Sequence, residues 1–306
     1  MRTIYLEGGV TAIRKDKNGL FVNDEPIDPD NNDVDTIIIG NTKGYISIPA
    51  LKTLQRLGIN IYHYDWTGKL ISQFLSANLH YSATIRIAQY KAKLNKTKTK
   101  QITNTIMHYH LQKMNQTLDH FGLDLIDLKL LDEDLQARYY WQRLKSYINL
   151  IYPQAKWSMR ASFNQRDYRA TNPVNAVINY AQSIGESLSR KAIIRAGLDT
   201  TIGFWHKNRP TLCEPLTYDI QELIRPQIDM FALEFLKNYN NSSHYLYPPD
   251  LIVRLKDATA KALVTHIFDR IQNPPNGRRL DYILNDQVKS LAKSLINGSS
   301  FKITTA

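Results

Sequence analysis

Residues 131–150 read LDEDLQARYYWQRLKSYINL, and the spacing of their apolar side chains decides what kind of chain this is. Ala137, Trp141, Leu144 and Ile148 recur at intervals of three and four, the period of a helix with one buried face. The same period continues outward, through Ile87, Tyr90 and Leu94 on one side and Ile252, Leu255, Ala258 and Ala262 on the other. Nearer the N-terminus the period changes to two. Thr3 to Glu7 and Val10 to Arg14 alternate, Asn18-Gly19 supplies a tight hairpin turn, and Ile37-Ile38-Ile39 forms a run suited to a buried strand. A single helix interrupts these strands, with Ser47 as N-cap, Pro49 just inside, and Leu51, Leu54 and Leu57 at helical spacing. A strand at Asn60 to Tyr64 and a turn at Asp65-Trp66-Thr67-Gly68 follow. This is the pattern of an α+β chain: a β-rich domain over residues 1–75, then a mostly α-helical domain over residues 76–306.

The 306 residues are enough for two cores, and 43% hydrophobic with 22% charged residues excludes wholesale disorder. The one cysteine, Cys213, has no partner for an internal disulfide. Met1 to Lys15 alternates where a signal peptide needs an unbroken apolar run, so a cytoplasmic location is expected. No run approaches the ~18 apolar residues of a membrane span. Charge supplies the first functional clue. The net charge is +11, yet residues 1–40 hold eight acids against four bases, so the remainder carries +15. Trp66 to Leu118 contains eight Lys or Arg and no acid, and Leu135 to Arg166 contains six and no acid. Such segregation favours a polyanion, and nucleic acid is the expected partner. The chain has no Walker phosphate loop, no GxGxxG after a strand and no paired CxxC, which removes the common nucleotide-binding and zinc-finger explanations.

Two clusters carry candidate chemistry. At about 100° per residue, Glu133 and Asp134 each lie about 50° from the stripe of Ala137, Trp141, Leu144 and Ile148, on opposite flanks, while Asp132 faces water. A carboxylate leaning towards a core needs a cation or a hydrogen-bonding partner. Periodicity does not separate Glu133 from Asp134, and acids in a first helical turn also simply complement the macrodipole. The second cluster spans GLDTTIGFWH, ending at His206, and TYDIQELIRPQID, which carries Asp219 and Glu222. Residues three apart on a helix share a face, so these two acids are candidates for one cation; they equally read as a capping box. His108 and His110 would face different sides of a helix, which argues against a chelating pair.

Taken in order, the strand-rich start, EDLQARYYW, RATNPVNAVINYAQSIGES, GLDTTIGFWH and YDIQELIRPQID resemble the CRISPR-associated integrase family, Cas1, over nearly the whole chain. The resemblance implies an N-terminal β domain joined to a helical catalytic domain. It also implies a metal site of a glutamate, a histidine and an acid, matching Glu133, His206 and Glu222, with Asp219 beside them. Asn175 and Tyr180 match positions near that site, and Arg138 and Arg225 match recurrent arginines. Arg160, Arg169 and Arg190 join the expected DNA-facing positive surface. The implied cofactor is Mg²⁺ or Mn²⁺, and the implied reaction is attack of a DNA 3′-hydroxyl that inserts a spacer into a repeat array. The implied partners are DNA, a second copy of the chain through the β domain, and a small ferredoxin-like Cas2 protein bridging two such dimers. Two other readings stay open. One is a stand-alone metal-dependent nuclease or transposon-borne integrase acting on branched or single-stranded DNA; the other is a non-catalytic DNA-organising protein.

Overall fold

The computed structural model describes residues 2–28, 34–40, 42–65, 70–76, 83–129, 132–158, 170–207, 214–249, 252–274 and 277–303. The chain divides into two compact units. One comprises residues 1–79 with 255–264, the other residues 80–254 with 265–306.

The first unit is strand-rich, running β1 (Arg2–Leu6), β2 (Val10–Asp16), β3 (Gly19–Val22), β4 (Glu25–Ile27), β5 (Val34–Ile39), β6 (Lys43–Ile46), α1 (Ile48–Arg56), β7 (Asn60–Tyr64) and β8 (Leu70–Phe74). These strands form two four-stranded sheets, ordered β1-β5-β7-β8 and β4-β3-β2-β6. In the first sheet β1, β5 and β7 are parallel and β8 is antiparallel to β7. In the second, β2 pairs antiparallel with β3 and parallel with β6. Ile13, Leu20 and Val22 of one sheet and Ile37 and Ile61 of the other share a core with Ala50 and Leu54 of α1. Ser47 caps α1 by accepting from the Ala50 N–H. The hairpins differ from the expected one. Asp16 pairs with Gly19, so Lys17-Asn18 forms the first turn. The turn with two left-handed residues comes next, at Asn23 (φ 50°) and Asp24 (φ 67°). Short polar side chains tolerate that conformation, and Asn23 Oδ1 also accepts from the Ala12 N–H. The turn expected at Asp65 to Gly68 lies mostly outside the described residues.

The second unit is helical: α2 (Ala83–Leu94), α3 (Lys96–His120), α4 (Glu133–Ile151), α5 (Pro173–Arg195), α6 (Pro215–Gln221), α7 (Arg225–Asn238) and α9 (Leu280–Ile296), while α8 (Asp257–Gln272) begins in the first unit. Among the described residues, no helix is long and apolar enough to cross a membrane. Nearly every residue of α5 is buried, and α6, α7 and α9 pack on it; α3 packs on α4 and α7. All three apolar stripes read from the sequence are displaced. Ile252 and Leu255 precede α8, Ala258 is exposed, and α8 buries Ala260, Leu263, Val264 and Ile267 instead. On α2, Ile87, Tyr90 and Leu94 are exposed, and Gln89 is buried because its amide group bonds the backbone of Asp199 and Ile202. On α4, the buried face is Gln136, Tyr140, Leu144 and Ile148, with Trp141 only half-buried against Trp157.

Candidate active site

The rotation of the buried face of α4, about 50° from the stripe read from the sequence, has a direct effect on its acids. Relative to Gln136, Tyr140, Leu144 and Ile148, Glu133 falls on the axis of the buried face at about 100° per residue, and Asp134 falls about 100° away. Asp132 is the N-cap, its Oδ1 accepting from the Leu135 N–H at 2.9 Å. Glu133 is therefore aligned with the core side, at the point where that face runs out to the surface. Crowding lifts its carboxyl above the ordinary value. The nearby charge of Glu222 adds to the lift, while the Trp205 indole N–H, 2.7 Å from Oε2, and His206 act against it.

His206 sits on the loop between α5 and α6. Gly203 is required there because a Cβ would stand 2.8 Å from the carbonyl carbon and Cβ of Pro215. Gln89 holds the start of the loop. Asp219, fully buried on α6, holds its end. Its carboxylate accepts from the backbone N–H groups of Phe204 (2.5 Å), Trp205 (3.1 Å) and His206 (2.8 Å), and from the His206 ring at 2.9 Å. Because a carboxylate accepts, the ring proton is on Nδ1, and in the neutral ring Nε2 carries the lone pair. Burial acts to lower the His206 pKa, but the Asp219 hydrogen bond and the charges of Glu222 and Asp219 raise it above its ordinary value.

Glu222 caps the C-terminal end of α6 and is 6% exposed. Its Oε1 lies 2.8 Å from Arg225 Nε, although that N–H is not aimed to form a hydrogen bond, so the contact is an ion pair. Burial pushes the Glu222 carboxyl up, and the charges of Arg225, His110 and His206 overcome it, leaving it below the ordinary value. Spacing along the chain offers no reason to include His110. It is buried on α3, with Nδ1 at 2.8 Å from the Glu222 carbonyl and 3.2 Å from Oε2. Both partners accept, so Nδ1 carries the proton; burial, its largest influence, keeps the ring below its ordinary pKa. What hid His110 is distance along the chain: its partner lies 112 residues away.

The fold thus gathers Glu133, His206, Asp219, Glu222 and Arg225 into one electrostatic neighbourhood. Asp219 and Glu222 do not form a capping box, because Glu214 is the N-cap of α6; their bonded partners differ, while both charges act on His206. Among the described residues, no three His, Cys, Asp or Glu side chains stand in a ready coordination shell. The donor set nevertheless fits a hard divalent cation. It offers two carboxylates that feel each other's charge, an imidazole fixed in one tautomer, and an acid paired with one arginine. Of the other candidates, Arg138 is exposed on α4. Asn175 is buried, with Oδ1 accepting from the Trp157 indole at 3.2 Å, and Tyr180 is buried in α5. Arg190 is 2% exposed in an ion pair, so it cannot belong to a DNA-facing surface. Arg160 and Arg169 lie outside the described residues. A separate cavity of about 340 Å³, lined by Ile126, Asp127, Lys129, Tyr139 and Arg143, contains none of the gathered acids.

The family model described as CRISPR associated protein Cas1 matches residues 4–136 and 130–268. The chain belongs to the Cas1 family. A relative from Saccharolobus solfataricus named CRISPR-associated endonuclease Cas1 2 is 26% identical over 249 residues, covering 78% of this chain and 76% of that protein. Among solved structures, a casposase bound to integration product superposes with a TM-score of 0.81 at 23% identity, covering 100% of this chain and 96% of that one. A chain of a Cas6-RT-Cas1–Cas2 complex gives 0.74 at 18% identity, over 99% of this Cas1 chain and 36% of that one. Both share the strand-rich start and helical remainder. The chain's Cas1 relatives are named endonucleases.

Proposed function

We propose that this chain is a metal-dependent DNA integrase that joins a DNA 3′-hydroxyl to a phosphodiester of a CRISPR repeat array, with Glu133, His206 and Glu222 holding Mg²⁺ or Mn²⁺. The observation that carries this reading is the surplus of acid around a histidine whose tautomer is locked by Asp219. A cation bound there would polarise the scissile phosphodiester and favour ionisation of the attacking hydroxyl. The protein's own groups prepare for both. Glu133 and Glu222 supply anionic oxygens, Asp219 keeps the His206 proton on Nδ1 so that Nε2 carries the lone pair, and Arg225 offsets part of the charge that two neighbouring acids would otherwise concentrate. No side-chain nucleophile is required. Glu133→Ala should reduce strand joining in Mn²⁺ below detection while DNA binding persists; retained joining would reject the assignment.

The same residues would serve hydrolysis if water replaced the DNA hydroxyl, and the relatives are named endonucleases. The casposase neighbour, bound to an integration product, favours joining. Covalently joined products on a repeat-containing duplex, as opposed to shortened strands alone, separate the two. The acid-free stretches are the proposed DNA surface, with exposed Arg138 on it. Neutralising Arg138 should weaken binding to unrelated sequences alike and reduce the salt slope by about 0.9 log units. A Cas2-type partner is proposed from the complex in which the neighbouring chain was solved. The acidic β-rich unit is the proposed two-fold contact, since a net charge of −4 over residues 1–40 disfavours DNA there and closed dimers cover strand edges. Light scattering of the full chain should return twice its mass.

A further inference from the structure

Between Phe204 and His206 the chain places a tryptophan, and this side chain reaches Glu133, His206 and His110. The backbone N–H of Trp205 is held by Asp219 Oδ2 at 3.1 Å, so the residue is fixed by the same carboxylate that fixes His206. Its indole Nε1–H donates to Glu133 Oε2 at 2.7 Å, joining the α5–α6 loop to the start of α4 across 72 residues of sequence. Its ring packs on the His206 ring, with centroids 5.4 Å apart and planes at 33°. It also stands edge-on to His110, with centroids 6.3 Å apart and planes at 76°, and His110 is the residue that bonds Glu222.

The chemistry of an indole suits one task here. Its N–H is a donor only, so it neither ligates a cation nor takes up a proton in this pH range. It can only hold an acceptor in place. Glu133 needs such a hold: it lies in the first turn of α4, at the surface, on a flexible side chain whose carboxylate is disfavoured by crowding and by Glu222. A single short bond to Oε2 fixes the carboxylate plane, and among the described residues no hydrogen bond engages Oε1.

We propose that Trp205 is a positioning residue for the metal site: its indole N–H presents the free oxygen of Glu133, and its ring keeps His206 and His110 in register with it. This rests on the reading of Glu133, His206 and Glu222 as ligands. Outer-shell hydrogen-bond partners of metal ligands are worth about 10- to 100-fold in metal affinity. Losing the indole N–H while keeping an aromatic ring should therefore weaken binding without unfolding the loop.

The test uses the full chain and Mn²⁺ alone, with free Mn²⁺ followed by electron paramagnetic resonance and no DNA present. Trp205→Phe should raise the Mn²⁺ dissociation constant about tenfold and leave metal-free thermal unfolding unchanged. At saturating Mn²⁺ its joining rate should return close to that of the unaltered protein, because the ligands themselves are intact. Glu133→Ala, measured alongside, separates the two ideas. If it leaves Mn²⁺ binding unchanged, the ligand assignment falls and takes this role with it. If it abolishes binding while Trp205→Phe binds as tightly as the parent, or more tightly, only the positioning role is overturned. Should Trp205→Phe fail to fold, placing benzothienylalanine at position 205 keeps the bicyclic shape and replaces N–H by sulfur. The same tenfold weakening is expected there, and unaltered affinity refutes the proposal.

Discussion

Two groups of partly or fully buried charge in the helical unit are built from similar side chains and differ in how completely they are neutralised. In one, Arg190 lies between Glu186 and Glu214, donating to Glu214 Oε2 at 2.7 Å from Nε and to Glu186 Oε1 at 2.5 Å from Nη2. Thr200 donates to the other Glu214 oxygen at 2.9 Å. In the other, Glu222 pairs with Arg225 and His110, Asp219 holds His206, and Glu133, among the described residues, accepts only from the Trp205 indole. The first group is closed in that both of its acids hydrogen-bond one fixed cation, and it fastens the chain on either side of the His206 loop. The second leaves Glu133 with no cation bonded to it among the described residues and its carboxyl lifted above its ordinary value. Charge that is closed off holds a fold together; charge left in surplus awaits a partner. The closed group supports the open one, because Glu214 immediately precedes α6, which carries Asp219.

The largest effect should come from breaking the closed group. Arg190→Ala leaves two half-buried glutamates without their cation and should cost about 3–5 kcal/mol in chemical denaturation. A loss below about 1 kcal/mol would mean the pairing is no more than a surface ion pair. Next is Asp219→Asn, which turns an NH₂ group towards donors that need an acceptor. It should cost about 2–3 kcal/mol and also depress joining, since the His206 tautomer loses its partner. Gly203→Ala forces a methyl against the backbone of Pro215 and should cost about 1–3 kcal/mol, with Trp205 and His206 displaced together. Glu133→Gln reverses the pattern. Removing a charge that the fold disfavours should leave stability within about 0.5 kcal/mol, while joining is lost. If Glu133→Gln destabilises as much as Arg190→Ala, the second group is structural like the first.

The smallest effect is a pH dependence at the start of the loop. Burial works to raise the Asp199 carboxyl, but hydrogen bonds from Thr201 and Tyr90, with the charge of Arg86, hold it below its ordinary value of 3.8. The folded state therefore favours the ionised form. Its stabilising contribution is complete above 3.8 and disappears as pH falls through the lower folded value. Denaturation of Asp199→Asn and the parent should differ by a constant amount above pH 5 and converge in more acidic solution; a difference that persists at low pH would assign the effect to packing.

Periodicity alone divided the chain into a strand-rich start and a helical remainder, and Ser47 with Pro49 marked a helix start that forms as read. These features are local, since alternation and helical spacing follow from backbone geometry within a few residues. The order of EDLQARYYW, GLDTTIGFWH and YDIQELIRPQID pointed to the family for the same reason: motifs are contiguous. Choosing between Glu133 and Asp134 from the residues themselves was not possible. Apolar spacing alone puts Trp141 on the core face, whereas packing buries Tyr140 and Gln136 and turns that face by about 50°. Arg190 looked like a DNA contact because an arginine's partners are invisible until α5 and Glu214 are brought together. His110 and Trp205 were out of reach for a related reason. Their roles depend on α3 packing against α7 and on a loop meeting α4, contacts between residues far apart in sequence that no local spacing encodes. Sequence specified which chemistry-bearing residues exist and the elements that carry them; only tertiary packing decided which acids are neutralised and which are left in surplus.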